Sequence, residues 1–461
     1  MNISAINFSI SANGSLPNIS FTSFCSYINY SSVVLYKPFD VVLNTITNSG
    51  IEIFKGDNIK RTKIIEFLEK SIIHPVFIVT VGHLAIFLLA IPYYSSFEYT
   101  SLIKIFLLVS LFIISYSIPF FIDKKIYQYF NRIKILNIQL KTLLPVVYGV
   151  ILSILMFHGV FTITHSYLLS LLYPILVLII SNLYVIQKFV GNGVIKNPST
   201  VLGVFKQMDN ILFTVGILSF IALTVKYGTL PILDYNLRIA ISNDPLRLIS
   251  TGALVYGGMC NTFYFTVAFV LLLLLGYKAG ILILCISFLL YRYSLRKISI
   301  IEIVVSLLGL MVVLAVMSKV ILLSSGQKWS IGVLEILSYR AYFDITVLEK
   351  VINSQIHTLG KVILNPNGEK LIGELLFGYS HNFTSTMFGP IYLDFGIYGL
   401  VFAILLGLFS RSIYMGDRRI YCIYAAILLS MCEIGINYGF LIVLFIMLYV
   451  NSILSLGWLR R

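Results

Sequence analysis

ISIIEIVVSLLGLMVVLAVMSKVILL, residues 298–323, decides the fold. Its two charges, Glu302 and Lys319, stand toward its ends, and a helix crossing a bilayer needs about 20 predominantly apolar residues. Comparable runs lie near 72–94, 101–122, 142–161, 166–187, 387–410 and 438–457, with shorter ones near 211–225 and 420–436. The whole chain of 461 residues is 58% hydrophobic and 11% charged, with a mean hydropathy of +0.94. A soluble domain carries about 25% charged residues, so this surface could not be kept wet. A soluble enzyme, a disordered scaffold and a secreted disulfide domain are excluded together. An outer-membrane barrel is excluded too, because its strands alternate apolar and polar residues. The sequence therefore predicts an all-α, polytopic transmembrane helical protein with about 10–11 spans at ~20 residues each.

Residues 1–70 stand apart as a polar N-terminal arm rich in Asn, Ser and Thr. The arm is expected to be cytoplasmic and partly disordered, with a short amphipathic helix over Lys55–Lys70. Its sequons at Asn2, Asn13, Asn18 and Asn29 would then be silent. Residues 71–461 form the transmembrane domain. Basic loops orient it: Lys124–Lys141, Lys188–Lys206 and Arg411–Arg419 are expected inside, as is the C-terminus, which ends in WLRR. Residues 226–247 and 324–386 are then outer loops. Two spans over 248–292 would put Arg292–Lys297 outside, against that rule, so three crossings or a re-entrant hairpin are expected there. No internal repeat is visible.

Lys plus Arg number 33 against 19 Asp plus Glu, a formal charge of +14. Basic inner loops explain most of that excess. No nucleic-acid partner is expected, because the basic residues are dispersed between spans. Cys25, Cys260, Cys285, Cys422 and Cys432 show no metal-type spacing and read as packing residues. No cofactor and no metal are expected, since the acids are scattered without a paired motif.

The outer cations fall outside the loop rule. Arg238, Arg247, Lys278 and Arg340 stand on the outer side, where Arg suits two-point contacts with phosphate oxygens. The plain alternative is solvated loop charge balanced by Asp234, Asp244, Glu335, Asp344 and Glu349. SYRAYFDITVLEKVI, Ser338–Ile352, reads as an amphipathic helix resting on the bilayer surface, with Ile345, Leu348 and Ile352 on its apolar face. Tyr339 is a candidate for stacking on sugar rings, against the commoner interfacial anchoring. His381 precedes a polar patch and is a candidate general base, with Glu335 or Asp344 as the second choice. Asp394 sits in an apolar run beside Tyr392, and an acid at such depth reads as functional.

GTLPILDYNLR (Gly228–Arg238), then SYRAYF, then TSTMFGPIYLDFGIYGL (Thr384–Leu400) appear in an order that resembles the O-antigen polymerases of Wzy type. The resemblance runs over about Met208–Gly407. It implies an integral-membrane, metal-independent glycosyltransferase that polymerises oligosaccharide repeat units on the outer face of the cell membrane. Its substrate partner would be a polyprenyl-diphosphate-linked oligosaccharide in membrane lipid, with a chain-length regulator protein as a further expected partner. Arg238 and Arg340 match the family's outer-loop arginines, and Asp394, Gly396 and Gly399 match its closing motif. Lys278 stands where an Arg is expected, and the polar arm is outside the family pattern. His381 beside Asn382 resembles the related O-antigen ligases. A ligase-like transferase and a flippase for the same lipid-linked sugars are the alternatives, the latter disfavoured by the missing repeat.

Overall fold

The computed structural model describes residues 71–122, 134–135, 138–172, 174–175, 198–241, 244–324, 332 and 335–458. The polar N-terminal arm lies outside the described residues, as does most of the run at 166–187.

The described chain is mainly helical, with one minimal hairpin of β1 (Lys134–Ile135) and β2 (Ile138–Gln139). The first two runs become α1 (Pro75–Ala90) and α2 (Tyr99–Phe121), joined by a 3-10 turn over Ile91–Ser96. Then come α3 (Leu140–Thr164) and α4 (Pro198–Tyr227). The α4 helix begins before the apolar run expected at 211–225, so Lys206 lies in a helix rather than in a loop. Six helical stretches are long and apolar enough to cross a membrane by length and composition alone. Leu84, Leu88, Leu107, Ile114, Ile154 and Leu308 are exposed along them, as lipid-facing side chains would be. The chain is a multi-pass membrane protein.

Residues 245–294 contain three helices: α6 (Pro245–Gly258), α7 (Thr262–Leu275) and α8 (Lys278–Ser294), preceded by a short α5 (Tyr235–Ala240). Local chemistry sets each break. Asp244 caps α6 by accepting from Leu246 N (2.9 Å), and Asn261 caps α7 by accepting from Tyr264 N (2.8 Å). Gly276, at φ 73°, ends α7 in the left-handed conformation. The helices α6 and α7 have 14 residues each, about 21 Å at 1.5 Å per residue, short of a ~30 Å apolar core. They form a hairpin leaning on α4, where Ser250 Oγ donates to Gly216 O (3.0 Å). Arginines satisfy its tip: Arg419 Nη2 donates to Tyr256 O (2.7 Å) and Arg292 Nη2 to Thr262 Oγ1 (2.8 Å). Irregular backbone at membrane depth survives only with such partners. These residues thus hold the hairpin as well as marking a loop.

The rest comprises α9 (Ile300–Ser324), α10 (Glu335–Asn353), α11 (Gly368–Phe377), α12 (Gly389–Phe395), α13 (Gly399–Tyr414), α14 (Arg418–Ile434) and α15 (Tyr438–Trp458). The run expected at 387–410 is broken at Gly396, whose φ 56° and ψ −137° suit glycine alone. A Cβ there would lie 2.7 Å from the His357 ring. Close approach also ties α13 to α2: a Cβ on Gly407 would meet Tyr116 O at 2.1 Å. In lipid, helix association rests on this kind of backbone approach and on hydrogen bonds rather than on apolar burial. Cys260, Cys285, Cys422 and Cys432 form no disulfide among the described residues, and Cys260 Sγ accepts from Arg419 Nη2 (3.1 Å); Cys25 lies outside the described residues.

One expectation fails. The α10 helix is not a surface helix, because it packs against α1 and α12, with Ala341, Asp344, Ile345, Val347, Leu348 and Val351 buried. Its buried face is wider than the apolar stripe and includes an acid, which the 3.6-residue pattern of apolar side chains could not show.

Candidate functional site

The buried acid organises one side of a cluster of charged side chains. Arg340 and Asp344, one turn apart on α10, approach to 3.7 Å. Thr384 bridges them, accepting from Arg340 Nη2 and donating to Asp344 Oδ1 (2.7 Å). Arg340 Nε donates to Glu433 Oε1 (3.2 Å), on the last turn of α14. Arg340 keeps 41% of its side-chain surface open and Glu433 46%, whereas Asp344 is at 0%. Protein nevertheless surrounds Arg340 closely enough that desolvation acts on it.

Burial pushes the Asp344 carboxyl up to about 7, reinforced by Glu433 and opposed by Arg340 and the Thr384 hydroxyl. Its Oδ2 is buried with no hydrogen-bond partner among the described residues. Glu369, on α11, is also pushed upward by burial; it accepts from Asn437 Nδ2 (3.0 Å) and feels Arg340.

Further cations of the cluster come from α5, α6 and α8. Lys278, the first residue of α8, lies within electrostatic reach of Glu433, Arg340 and Arg238. Tyr277 donates its hydroxyl to Arg238 O (2.8 Å), and the Arg247 guanidinium stacks over its ring at 4.1 Å. Four cations (Arg238, Arg247, Lys278, Arg340) thus share one neighbourhood with three carboxylates not paired to another lysine (Asp344, Glu369, Glu433), since Asp244 beside Arg247 is paired with Lys226. Burial weakens the charge of two of those carboxylates. The balance favours an anionic ligand. By contrast, Lys361 and Lys370 are exposed, and Lys226 is paired with Asp244 at 2.7 Å.

Tyr339 lies beside Arg340 on α10, at its wet edge. It meets the ring of Tyr93 at 6.1 Å and of Tyr342 at 6.0 Å, and Tyr93 stacks on Tyr342 at 4.9 Å. An aromatic platform thus joins α10 to the 3-10 turn over Ile91–Ser96.

The remaining sequence candidates stand elsewhere. His381 is exposed, its ring edge-on to Phe383 at 6.0 Å; no described contact links it to the cations. Tyr392 is half-buried and edge-on to His357 at 6.3 Å. Asp394 is fully buried. Its Oδ1 accepts from the Thr358 hydroxyl and from Val362 N (3.0 Å), and its Oδ2 from Ile363 N (2.9 Å). With both oxygens committed, it anchors the 358–363 turn instead of facing substrate. An acid at membrane depth needs a partner, and here the partner is backbone. Among the described residues no three His, Cys, Asp or Glu side chains converge as a metal-holding group.

Sequence reasoning missed Glu433, Glu369 and Asn437 as site residues. Glu433 carried a usable signal, being an acid at the end of the apolar run 420–436, the same feature that singled out Asp394. Glu369 and Asn437 carried none, since their meeting depends on how α11 is set against the turn before α15.

A family model described as "Putative O-antigen polymerase" matches residues 71–449, which takes in every cluster residue named above. An uncharacterized protein of Methanocaldococcus jannaschii is 47% identical over 390 residues, covering 84% of this chain and 95% of that one. No solved structure matches the chain.

Proposed function

The chain belongs to the O-antigen polymerase family, and from that premise we propose that it joins polyprenyl-diphosphate-linked oligosaccharide repeat units on the outer face of the cell membrane. In this reading the cluster end of the bundle faces outward and the C-terminus is cytoplasmic. One observation carries the proposal: Arg238, Arg247, Lys278 and Arg340 come from four helices into one half-buried cluster.

The chemistry follows from charge. When the donor sugar's anomeric carbon parts from its lipid diphosphate, negative charge builds on the leaving oxygen. Fixed cations that need no reorganisation stabilise that charge most at the transition state. Arg238 and Arg340 are the proposed principal contacts, with Lys278 and Arg247 neutralising the rest of the diphosphate. Thr384, Asp344 and Glu433 hold the Arg340 guanidinium in place through Nη2 and Nε, and a ligand is met by Nη1 of a positioned group rather than a mobile side chain. Tyr339 and its neighbours offer faces for sugar rings. Asp394 and Tyr392 act at a distance, by fixing the segment beneath the cluster.

The test is a purified preparation in lipid, supplied with lipid-linked oligosaccharide alone. Lengthening of the lipid-linked product without nucleotide sugar, ATP or added metal supports the reading. Transbilayer movement of substrate without lengthening would instead make the protein a flippase. Transfer onto a different acceptor, again without lengthening, would make it ligase-like.

A further inference from the structure

We propose that Glu433 is the catalytic base that takes the proton from the acceptor sugar's hydroxyl. The inference rests on the glycosyl-transfer reading above and adds to it the residue on the acceptor side.

Four carboxylates border the cations, and three are unavailable. Asp244 is taken by Lys226, the Tyr227 hydroxyl and Leu246 N. Asp344 is fully buried, with Oδ1 held by Thr384. Glu369 is mostly enclosed and holds Asn437. Asp394, fully buried, is committed to its turn. Glu433 differs. Its side chain keeps 46% of its surface open, and among the described residues its carboxylate has one hydrogen bond, from Arg340 Nε to Oε1. Oε2 has no hydrogen bond among the described residues. Arg340 Nη2 is already spent on Thr384 and faces Asp344, so the arginine meets Glu433 through Nε and fixes the carboxylate's orientation. The groups facing Glu433 are Arg340 and Asp344 from α10 and Lys278 from α8. A single displacement brings the acceptor hydroxyl to the face of the anomeric carbon opposite the leaving diphosphate, so Glu433 serves a sugar whose diphosphate lies on the far side of Arg340, toward Arg238 and Arg247. The acceptor oxygen then lies between carboxylate and anomeric carbon.

The step balances without a co-reactant. The acceptor oxygen forms a bond to the donor's anomeric carbon as its proton passes to Glu433 Oε2. The anomeric carbon–oxygen bond to phosphate breaks, and its electron pair leaves with the polyprenyl diphosphate. Glu433 then returns the proton to water.

The experiment compares Glu433→Gln, Glu433→Asp and Glu433→Ala in the same lipid assay as the unaltered protein. Gln keeps an acceptor for Arg340 Nε and removes the base. A positioned base contributes roughly 100- to 10,000-fold in rate, so kcat should fall by that factor while KM for lipid-linked oligosaccharide stays near normal. Asp should retain part of the rate, and formate should restore turnover to the Ala variant by entering the vacated space. Near-normal kcat in Glu433→Gln would overturn the proposal and leave the transfer reading standing. So would inactive Gln and Ala variants that formate cannot restore, because the pair would then serve only to hold Arg340. A large loss in His381→Gln beside a normal Glu433→Gln would move the base to His381. Failure of the unaltered protein to lengthen any substrate would remove both readings together.

Discussion

Asp394→Asn separates a structural acid from a functional one. The carboxylate receives three hydrogen bonds in full burial, from the Thr358 hydroxyl, Val362 N and Ile363 N. An Asn placed to keep the first two turns its amide nitrogen toward the N–H of Ile363. One charge-assisted bond is lost, at about 1.5–3 kcal/mol, and the other two fall to neutral strength. The sum is about 3–4 kcal/mol, charged to the 358–363 turn. At 1.36 kcal/mol per tenfold, local opening should become roughly 100- to 1000-fold more frequent. Hydrogen–deuterium exchange should therefore show lost protection at Val362 and Ile363, accompanied by a lower Tm in detergent. Any loss of turnover should scale with that loosening and recover on cooling. Full protection and an unchanged Tm together with collapsed turnover would refute the reasoning and return Asp394 to the substrate.

Asp344 binds a proton in the fold that the unfolded chain releases, because burial lifts its pKa from 3.8 to about 7. Its contribution to stability is therefore lost as pH rises between about 4 and 7, and Asp344→Asn should show a flatter Tm profile across that window than the unaltered protein. Gly407→Ala should cost about 1–3 kcal/mol by forcing a methyl against Tyr116 O, read as a lower Tm with an unchanged cluster. On a cysteine-free background, an impermeant thiol reagent applied outside should label a cysteine at Lys361 and not one at Lys134; the opposite pattern would invert the proposed orientation.

The helices were legible because membrane spanning is written in composition: a run such as 298–323 needs no tertiary information to be read. The three-helix division of 245–294 was half legible. Loop charge required an odd number of passes, but the short lengths of α6 and α7 depended on caps at Asp244 and Asn261 that resemble any other polar pair. The cations of the cluster were legible as residues on the wrong side for the loop rule. Their partners were not. Asp344 and Asp394 both look like functional acids in sequence; in the fold one is buried against Arg340 and Thr384, and the other is locked by backbone amides. Which acid stays wet is settled by packing between elements as far apart as α10 and α14. No local pattern encodes that.

If the clustered cations hold the leaving diphosphate, the turnover of Arg238→Lys and Arg340→Lys separates sharply from that of Lys361→Ala. Lysine keeps the charge and loses the planar fork. Removing one donor aimed at developing transition-state charge costs about 100- to 1000-fold, whereas the exposed Lys361 should contribute well under about 1 kcal/mol. The account predicts that both arginine variants fold, bind lipid-linked oligosaccharide and fail to lengthen it, while Lys361→Ala lengthens it normally. Near-normal product from both arginine variants at equal expression would contradict it.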